Sequence, residues 1–383
     1  MKTSGASPSK NTASPGPDIH YRSVLDASIS DALARAIRMI AADPSLAFCG
    51  MRILSHQKKA AALRKKYERD GILVPAAMLV SVTSRCNLSC HGCYQKAGHA
   101  TIPREMDTIT LNSLVYEAAE LGISIVVVSG GEPLLRKTEI LALAHEFPQI
   151  LFPVFTNGLA IDDALSREFA ARRNIVPVVS FEGFRDETDT RRGPGVYDRL
   201  RAACAHLKTN GIFFGCSVTV TRVNSGLVTS DRFVREMIEA GARVFVFVEY
   251  VPVEPGTDDL VLDFSRQKDL HAAIDALDKK YPALFFGFPG EEAQYGGCLA
   301  AGRGFVHVNP AGDLEACPAA PFSDTNIARV PLREALKSPL LAEIRLHHGL
   351  LTETTGGCAL WKNREWVQVL TCEKEKTGPD AGK

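Results

Sequence analysis

From Gly71 onward, short β-rich apolar runs alternate with stretches whose apolar residues recur every three or four positions. The runs fall at 78–82 (MLVSV), 123–128 (ISIVVV), 151–155 (LFPVF), 176–180 (VPVVS), 213–220 (FFGCSVTV) and 244–250 (VFVFVEY). Between and after them, 110–121, 137–147, 162–173, 196–209, 231–240 and 266–280 carry the helical period. Six strands alternating with helices imply parallel βα units joined by right-handed crossovers. Six units are two short of a closed eightfold barrel. The pattern therefore predicts an α/β chain forming a partial (β/α)6 TIM-type barrel, with its chemistry at the strand C-terminal ends.

Other patterns flank this block. Leu25, Ile29, Leu33, Ile37 and Ile40 recur at helical spacing until Asp43-Pro44 stops the run, and a second helix is expected from about 51 to 69. That second helix sets Arg52, Lys58, Lys59, Arg64, Lys65, Lys66 and Arg69 against only Glu68 and Asp70. Residues 1–20 are Ser/Pro/Gly-rich without an apolar period and read as a disordered tail. Helices over 21–74 and a barrel over 75–288 follow. Beyond Phe288 a Gly-rich, hairpin-like stretch (CLAAGRGFVHVNPAGDLEACP), a helix near 332–345 and the segment GGCALWKNREWVQVLTC form a small α+β module over 289–373. The tail 374–383 is solvated.

Composition narrows the function. With 45% apolar and 23% charged residues the chain is an ordinary soluble globular protein. Lys+Arg and Asp+Glu both number 44, so no bulk field draws it to nucleic acid. No apolar run reaches the roughly 18 residues of a membrane span, and no signal-like apolar core opens the chain, so a cytoplasmic location is expected. The basic helix is most simply a solvated face over the barrel; its functional reading is peripheral contact with anionic lipid or an acidic donor protein. Ten cysteines in such a chain point to metal or catalysis before disulfides.

The first strand runs into TSRCNLSCHGCY, placing Cys86, Cys90 and Cys93 in one loop at a strand end. Thiolates spaced C-x3-C-x2-C wrap one face of a 4Fe–4S cube and leave the fourth iron open. Structural zinc would want a fourth close ligand, for which only His91 and His99 are nearby. The second strand ends in SGGEP, where Gly130 and Gly131 permit close backbone approach and Glu132, before Pro133, offers acceptors to an ammonium group. Asn157, in Thr156-Asn157-Gly158 after the third strand, is either a turn residue or a ligand contact. Glu182, Glu249 and Tyr250 also sit at strand ends and are candidates to face substrate; a buried carboxylate there equally suits an internal Arg.

The loop CNLSCHGCY resembles the signature of the radical S-adenosylmethionine (radical SAM) superfamily, and the resemblance extends over about 75–290 for the barrel and 290–372 for the C-terminal module. In that family the methionine end of the cofactor chelates the open iron. An electron from the cluster splits the sulfonium, and the 5′-deoxyadenosyl radical takes a hydrogen atom from substrate. The resemblance implies a cofactor set of Tyr94, Gly130, Gly131, Glu132, Pro133, Asn157, Ser180 and Arg192. Of these, Glu132 takes the amino group, Ser180 the ribose and Arg192 the carboxylate. Within SFEGFRDETDTRRGPGVYDRL, Arg191 rivals Arg192, because the spacing before Gly195-Val196-Tyr197 is one residue short. Gly92 departs from the family, where many members carry an aromatic residue.

Cys298 and Cys317, spaced C-x13-G-x4-C about Gly312, resemble the opening of SPASM and twitch modules; Cys358 and Cys372 follow. The longer cysteine run of a full SPASM module is absent, which implies one auxiliary 4Fe–4S cluster in a twitch-like domain. Cys49, Cys204 and Cys216 read as packing residues. The implied protein is a radical SAM enzyme with a flavodoxin- or ferredoxin-type electron donor. Helical character over 21–70 favours a small-molecule, cofactor-precursor or lipid substrate over the peptides of leader-binding maturases. A non-catalytic iron–sulfur carrier or redox sensor is the alternative from another class.

Overall fold

Alternation along each apolar run sorts its residues onto the two faces of one curled sheet. Strands β1 (Ala77–Ser81), β2 (Ile125–Ser129), β3 (Phe152–Thr156), β4 (Ile175–Phe181), β5 (Gly215–Val220) and β6 (Val244–Glu249) occupy the six expected runs and pair in parallel. The structure, a computed structural model, describes residues 20–39, 44–99, 102, 104–289, 295, 297–351 and 358–375. The disorder expected over 1–20 and 374–383 falls almost wholly outside those residues.

Three further strands join the sheet. β7 (Leu284–Phe288) pairs in parallel with β6, from Val244↔Leu284 to Val248↔Phe288. β8 (Phe305–Val308) lies parallel to β1 on its other side, and β9 (Leu314–Glu315) turns back antiparallel to it. The order is β7-β6-β5-β4-β3-β2-β1-β8-β9. The Gly-rich hairpin of the C-terminal module thus continues the barrel sheet beside β1. Period alone showed a hairpin there, and only strand pairing decides what it pairs with.

Residues facing the helices are sealed: Val128, Val154, Phe181, Phe245 and Phe247 are buried, with Phe181 edge-on to Tyr197 and Phe245 stacked on Phe285. Their neighbours Leu79, Val127, Phe155, Thr219, Val246 and Val248 point to the concave side and stay half-exposed, so the strands enclose an open lumen. Helices α3 (Tyr94–His99), α4 (Thr108–Leu121), α5 (Lys137–Glu146), α6 (Asp163–Arg172), α7 (Arg185–Arg192), α8 (Val196–Thr209), α9 (Ser225–Val228), α10 (Asp231–Ala240) and α11 (Phe264–Lys280) follow in turn. Asp107, Asp162, Ser230 and Asp263 start α4, α6, α10 and α11 by accepting a backbone N–H from the first turn.

Before β1 the chain forms α1 (His20–Met39) and α2 (Pro44–Arg69). Arg35 of α1 donates to Asp278 at 2.7 and 2.9 Å and to the Ala283 carbonyl at 3.2 Å. Arg64 of α2 donates to the Gly122 carbonyl at 2.6 Å and pairs with Asp26, while Gln57 meets Ser124. Gly122, Ser124 and Ala283 each precede a strand, so this pair of helices covers the strand N-terminal end. One expected solvated charge is therefore a structural one: Arg64 is buried because it carries the helix pair onto the barrel. No helix among the described residues is long and apolar enough to cross a membrane.

Asn174, in the turn into β4, is buried with Nδ2 3.0, 3.2 and 3.0 Å from the carbonyls of Ala144, Phe147 and Ile150, where α5 ends. Asn174→Ala leaves these carbonyls without their donor. The expected cost is about 1–3 kcal/mol, read as a lower urea midpoint with unchanged slope.

Candidate active site

The loop after β1 is held before any cofactor is considered. Glu105 accepts from Thr83 Oγ1, Ser84 N and Ser84 Oγ, each at 2.8 Å. Burial raises its carboxyl, but these donors outweigh that and hold it below the usual carboxylate range. From the other side the SGGEP turn lies directly on the loop, with Gly131 N donating to Thr83 O at 2.7 Å and Glu132 N to Arg85 O at 2.8 Å. A Cβ on Gly131 would stand 2.1 Å from Arg85 O, so two backbones meet where no side chain fits.

Cys86, Cys90 and Cys93 project from this loop as free thiols. Burial lifts the Cys86 thiol, and the charge of Glu132 adds to the rise. Burial also lifts Cys90, although Arg192 and Arg191 oppose it. Among the described residues no three His, Cys, Asp or Glu side chains converge as ligands of one ion would. A four-iron cube instead spreads its thiolates over separate corners, and three thiols on one loop at the open mouth of the barrel fit that donor set.

Glu132 is almost fully buried and already has three donors: Thr156 Oγ1 at 2.7 Å, Asn157 N at 2.8 Å and Leu134 N at 2.9 Å. A carboxylate has about four acceptor positions, so Glu132 latches β2 to β3 and keeps room for about one further donor. Asn157 donates to Asn87 Oδ1 at 2.6 Å and lies 3.9 Å from Cys86 Sγ, which ties the third strand end to the cysteine loop. Ser180 faces the lumen, 2.9 Å from Ser217 Oγ. Pro133 opens the short 3-10 turn Pro133–Arg136.

The two arginines converge on Glu182. Arg192 reaches Glu182 Oε1 through Nε at 2.9 Å and Nη2 at 2.6 Å. Arg191 pairs with the same oxygen and also donates to Thr219 Oγ1 at 2.9 Å and to the His91 carbonyl at 3.1 Å. Burial would lower the Arg191 pKa, but Glu182 raises it on balance. The second oxygen, Glu182 Oε2, is buried without a partner. The internal-Arg reading of Glu182 is thus realised, with one oxygen left over.

The other two strand-end candidates separate. Glu249 points outward, accepting Gln267 Nε2 at 2.7 Å and lying 3.3 Å from His271 Nε2, both on α11. It does not face the lumen, because adjacent strand residues project to opposite faces. Tyr250, the next residue, packs on the cysteine loop: a Cβ on Gly92 would stand 2.5 Å from its hydroxyl oxygen and 2.7 Å from its ring. The absent side chain at Gly92 is the space Tyr250 fills. Tyr94 keeps its ring partly exposed while its hydroxyl bonds to Ser129; burial and nearby Cys93 push that hydroxyl to about 12.

Two participants were not among the sequence candidates. Glu254 accepts Gly92 N at 2.8 Å, yet reads as one acid among several in a polar loop. His307, fully buried on β8, lies 2.8 Å from Ser81 Oγ and 2.7 Å from Glu315 Oε2, joining the C-terminal hairpin to the C-terminal end of β1. A single His inside the apolar run FVHV was the available hint.

In the C-terminal module Cys317 and Cys358 are hydrogen-bonded and Cys298 lies close enough to raise the Cys317 pKa further. Cys372 falls in the helix Arg364–Glu375, and its side chain lies outside the described residues. Cys204 and Cys216 are buried packing residues, the Cys204 thiol pushed by burial to about 12. Cys49 is half-buried on α2.

Residues 80–221 match the model of the Radical SAM superfamily. The chain is 28% identical over 272 residues to mycofactocin maturase MftC of Mycolicibacterium smegmatis, covering 67% of each chain. It is 26% identical over 287 residues to an AdoMet-dependent heme synthase of Methanosarcina barkeri, covering 68% of this chain and 81% of that one. A further relative, the Fe-coproporphyrin III synthase of Methanosarcina barkeri, is 28% identical over 173 residues; the match spans 42% of this chain and only 43% of that protein. Among solved structures, Streptococcus suis SuiB bound to precursor peptide SuiA superposes with a TM-score of 0.62 at 18% identity, over 83% of this chain and 77% of that chain.

Gly92 gives a direct check on the geometry. Gly92 has φ +66°, and Tyr250 stands where a Cβ would go. Gly92→Ala should lower stability by about 1–3 kcal/mol in urea unfolding. Adding Tyr250→Ala to that variant should remove the clash but not the backbone strain, so the double-mutant cycle should show a coupling of at least about 0.5 kcal/mol.

Proposed function

Because the chain belongs to the radical SAM superfamily, we propose that it reductively cleaves S-adenosylmethionine and abstracts a hydrogen atom from a substrate held in the barrel lumen. The observation that carries the reading is the joint position of three free thiols, the SGGEP turn and the Arg191–Arg192 pair at one mouth of the barrel. A 4Fe–4S cluster on Cys86, Cys90 and Cys93, with the cofactor on its open iron, supplies the electron that splits the sulfonium when both are bound.

The chain's own residues prepare that mouth. Glu132, fixed by its three donors, offers its remaining acceptor position to the cofactor amino group. Arg192 spends Nε and Nη2 on Glu182, leaving Nη1 for the cofactor carboxylate, while Arg191 is tied to the loop through His91. Ser180 faces the ribose position. Leu79, Val127, Phe155, Val246 and Val248 line the lumen with apolar surface against which a substrate can pack. Cys298, Cys317 and Cys358, with Cys372 as the fourth ligand, would hold one auxiliary cluster in a twitch-like module.

The apolar lumen and the heme and coproporphyrin relatives support a small-molecule or cofactor-precursor substrate. A peptide substrate is the second reading, supported by MftC and by the PqqA peptide cyclase of Gluconobacter oxydans, 26% identical over 259 residues. A flavodoxin- or ferredoxin-type protein would supply the electron. A carrier or sensor would have no use for the lumen or the arginine pair.

Anaerobically reconstituted protein should bind about eight irons, four per cube, and release 5′-deoxyadenosine when given S-adenosylmethionine and dithionite. Replacing Cys86, Cys90 and Cys93 together by Ala should halve the iron and abolish cleavage; undiminished cleavage would falsify the assignment. Cys372→Ala should alter the auxiliary cluster's electron paramagnetic resonance signal while leaving the first cluster's intact, and an unchanged signal removes Cys372 from the ligand set.

A further inference from the structure

We propose that the outward face of α2 is a docking surface for an anionic lipid bilayer. The helix has 26 residues, which makes it about 39 Å long at the helical rise. One side packs on the barrel through Ile53, Gln57 and Arg64, all buried. At helical spacing the outward side presents Phe48, Met51, Arg52, Lys59, Lys66 and Arg69, with Lys58 and Lys65 along its border, while Leu63 turns toward Gly122 and the barrel. Phe48 is 60% exposed and Met51 54%. The six exposed cations, Arg52, Lys58, Lys59, Lys65, Lys66 and Arg69, enter no salt bridge among the described residues, whereas Glu68 pairs with Arg22.

The mixture decides the occupant. A solvated helix face would keep its cations beside acids and its aromatic residues inside. Here large apolar side chains stand among unpaired cations on one outward face. That combination suits apolar insertion at the acyl boundary with cations at the headgroups. An acidic electron donor would match the charge but not the place. α2 covers the strand N-terminal end, while the cysteine loop stands at the C-terminal end, a five-residue strand of about 17 Å away. A bilayer at the base leaves the mouth of the barrel open.

The proposal is independent of the reading of the active site. The test is flotation of the full-length, anaerobically reconstituted protein with vesicles of phosphatidylcholine alone or mixed with phosphatidylglycerol. Partitioning to the anionic vesicles should exceed that to neutral ones by at least about tenfold and weaken steeply with salt. Replacing Lys58, Lys59, Lys65 and Lys66 together by Glu should remove the preference. Phe48→Ser with Met51→Ser should cut binding several-fold at unchanged charge. All six positions are exposed, so thermal midpoints should stay near that of the unaltered protein, and the salt series on that protein stands if a variant fails to fold. Equal partitioning to both vesicle types overturns the proposal, as does a folded charge-reversed variant that still prefers anionic vesicles. Binding to an acidic flavodoxin but not to vesicles overturns it in favour of the donor.

Discussion

The close approach of two backbones, Thr83–Arg85 against Gly130–Glu132, is the constraint on which the site depends. Parallel strands β1 and β2 end side by side, and their following loops must cross at hydrogen-bonding distance. Any Cβ at Gly131 would strike the Arg85 carbonyl. With the glycines in place the cysteine loop is clamped from one side by backbone donors and from the other by Glu105. Its three thiols are therefore positioned by the protein alone, which limits the ordering a cluster must impose on binding.

Carboxylates, buried at Glu132 and Glu182 and half-buried at Glu254, tie the remaining strand ends to this clamp. Glu132 takes donors from the third strand end, Glu182 gathers both arginines of α7, and Glu254 reaches back to the Gly92 amide. A buried carboxylate is costly unless it is paired or fully hydrogen-bonded, so each one fixes its donors as firmly as they fix it. The incomplete pairing is confined to Glu182 Oε2, in the group that also holds both guanidinium ions near Cys90.

The C-terminal module is joined to the barrel through a buried polar contact as well as through strand pairing. His307 and Glu315 lie on adjacent antiparallel strands, and the His ring reaches Ser81 at the end of β1. Cys317 lies two residues beyond Glu315, so the position of its thiol follows that of the C-terminal end of β1. Tyr94 is within electrostatic reach of both Cys93 and Cys317.

By itself the sequence determined whatever depends on neighbours a few residues apart. The alternation of period 2 with period 3.6 specified parallel βα units, and the C-x3-C-x2-C spacing placed three thiols on one loop. The SGGEP turn declared a close backbone approach. Tertiary structure decided what depends on strand order and on which face of a strand looks inward. Glu249 and Tyr250 are consecutive and equally plausible as text, yet opposite projection sends one to α11 and the other to the cysteine loop. Arg191 and Arg192 both reach Glu182, and only geometry shows that Arg191 is also spent on His91 and Thr219. β8 beside β1, His307 against Ser81 and Glu254 on Gly92 join positions more than 150 residues apart. Local pattern is blind at that range, because such contacts come from sheet order and register rather than from spacing along the chain.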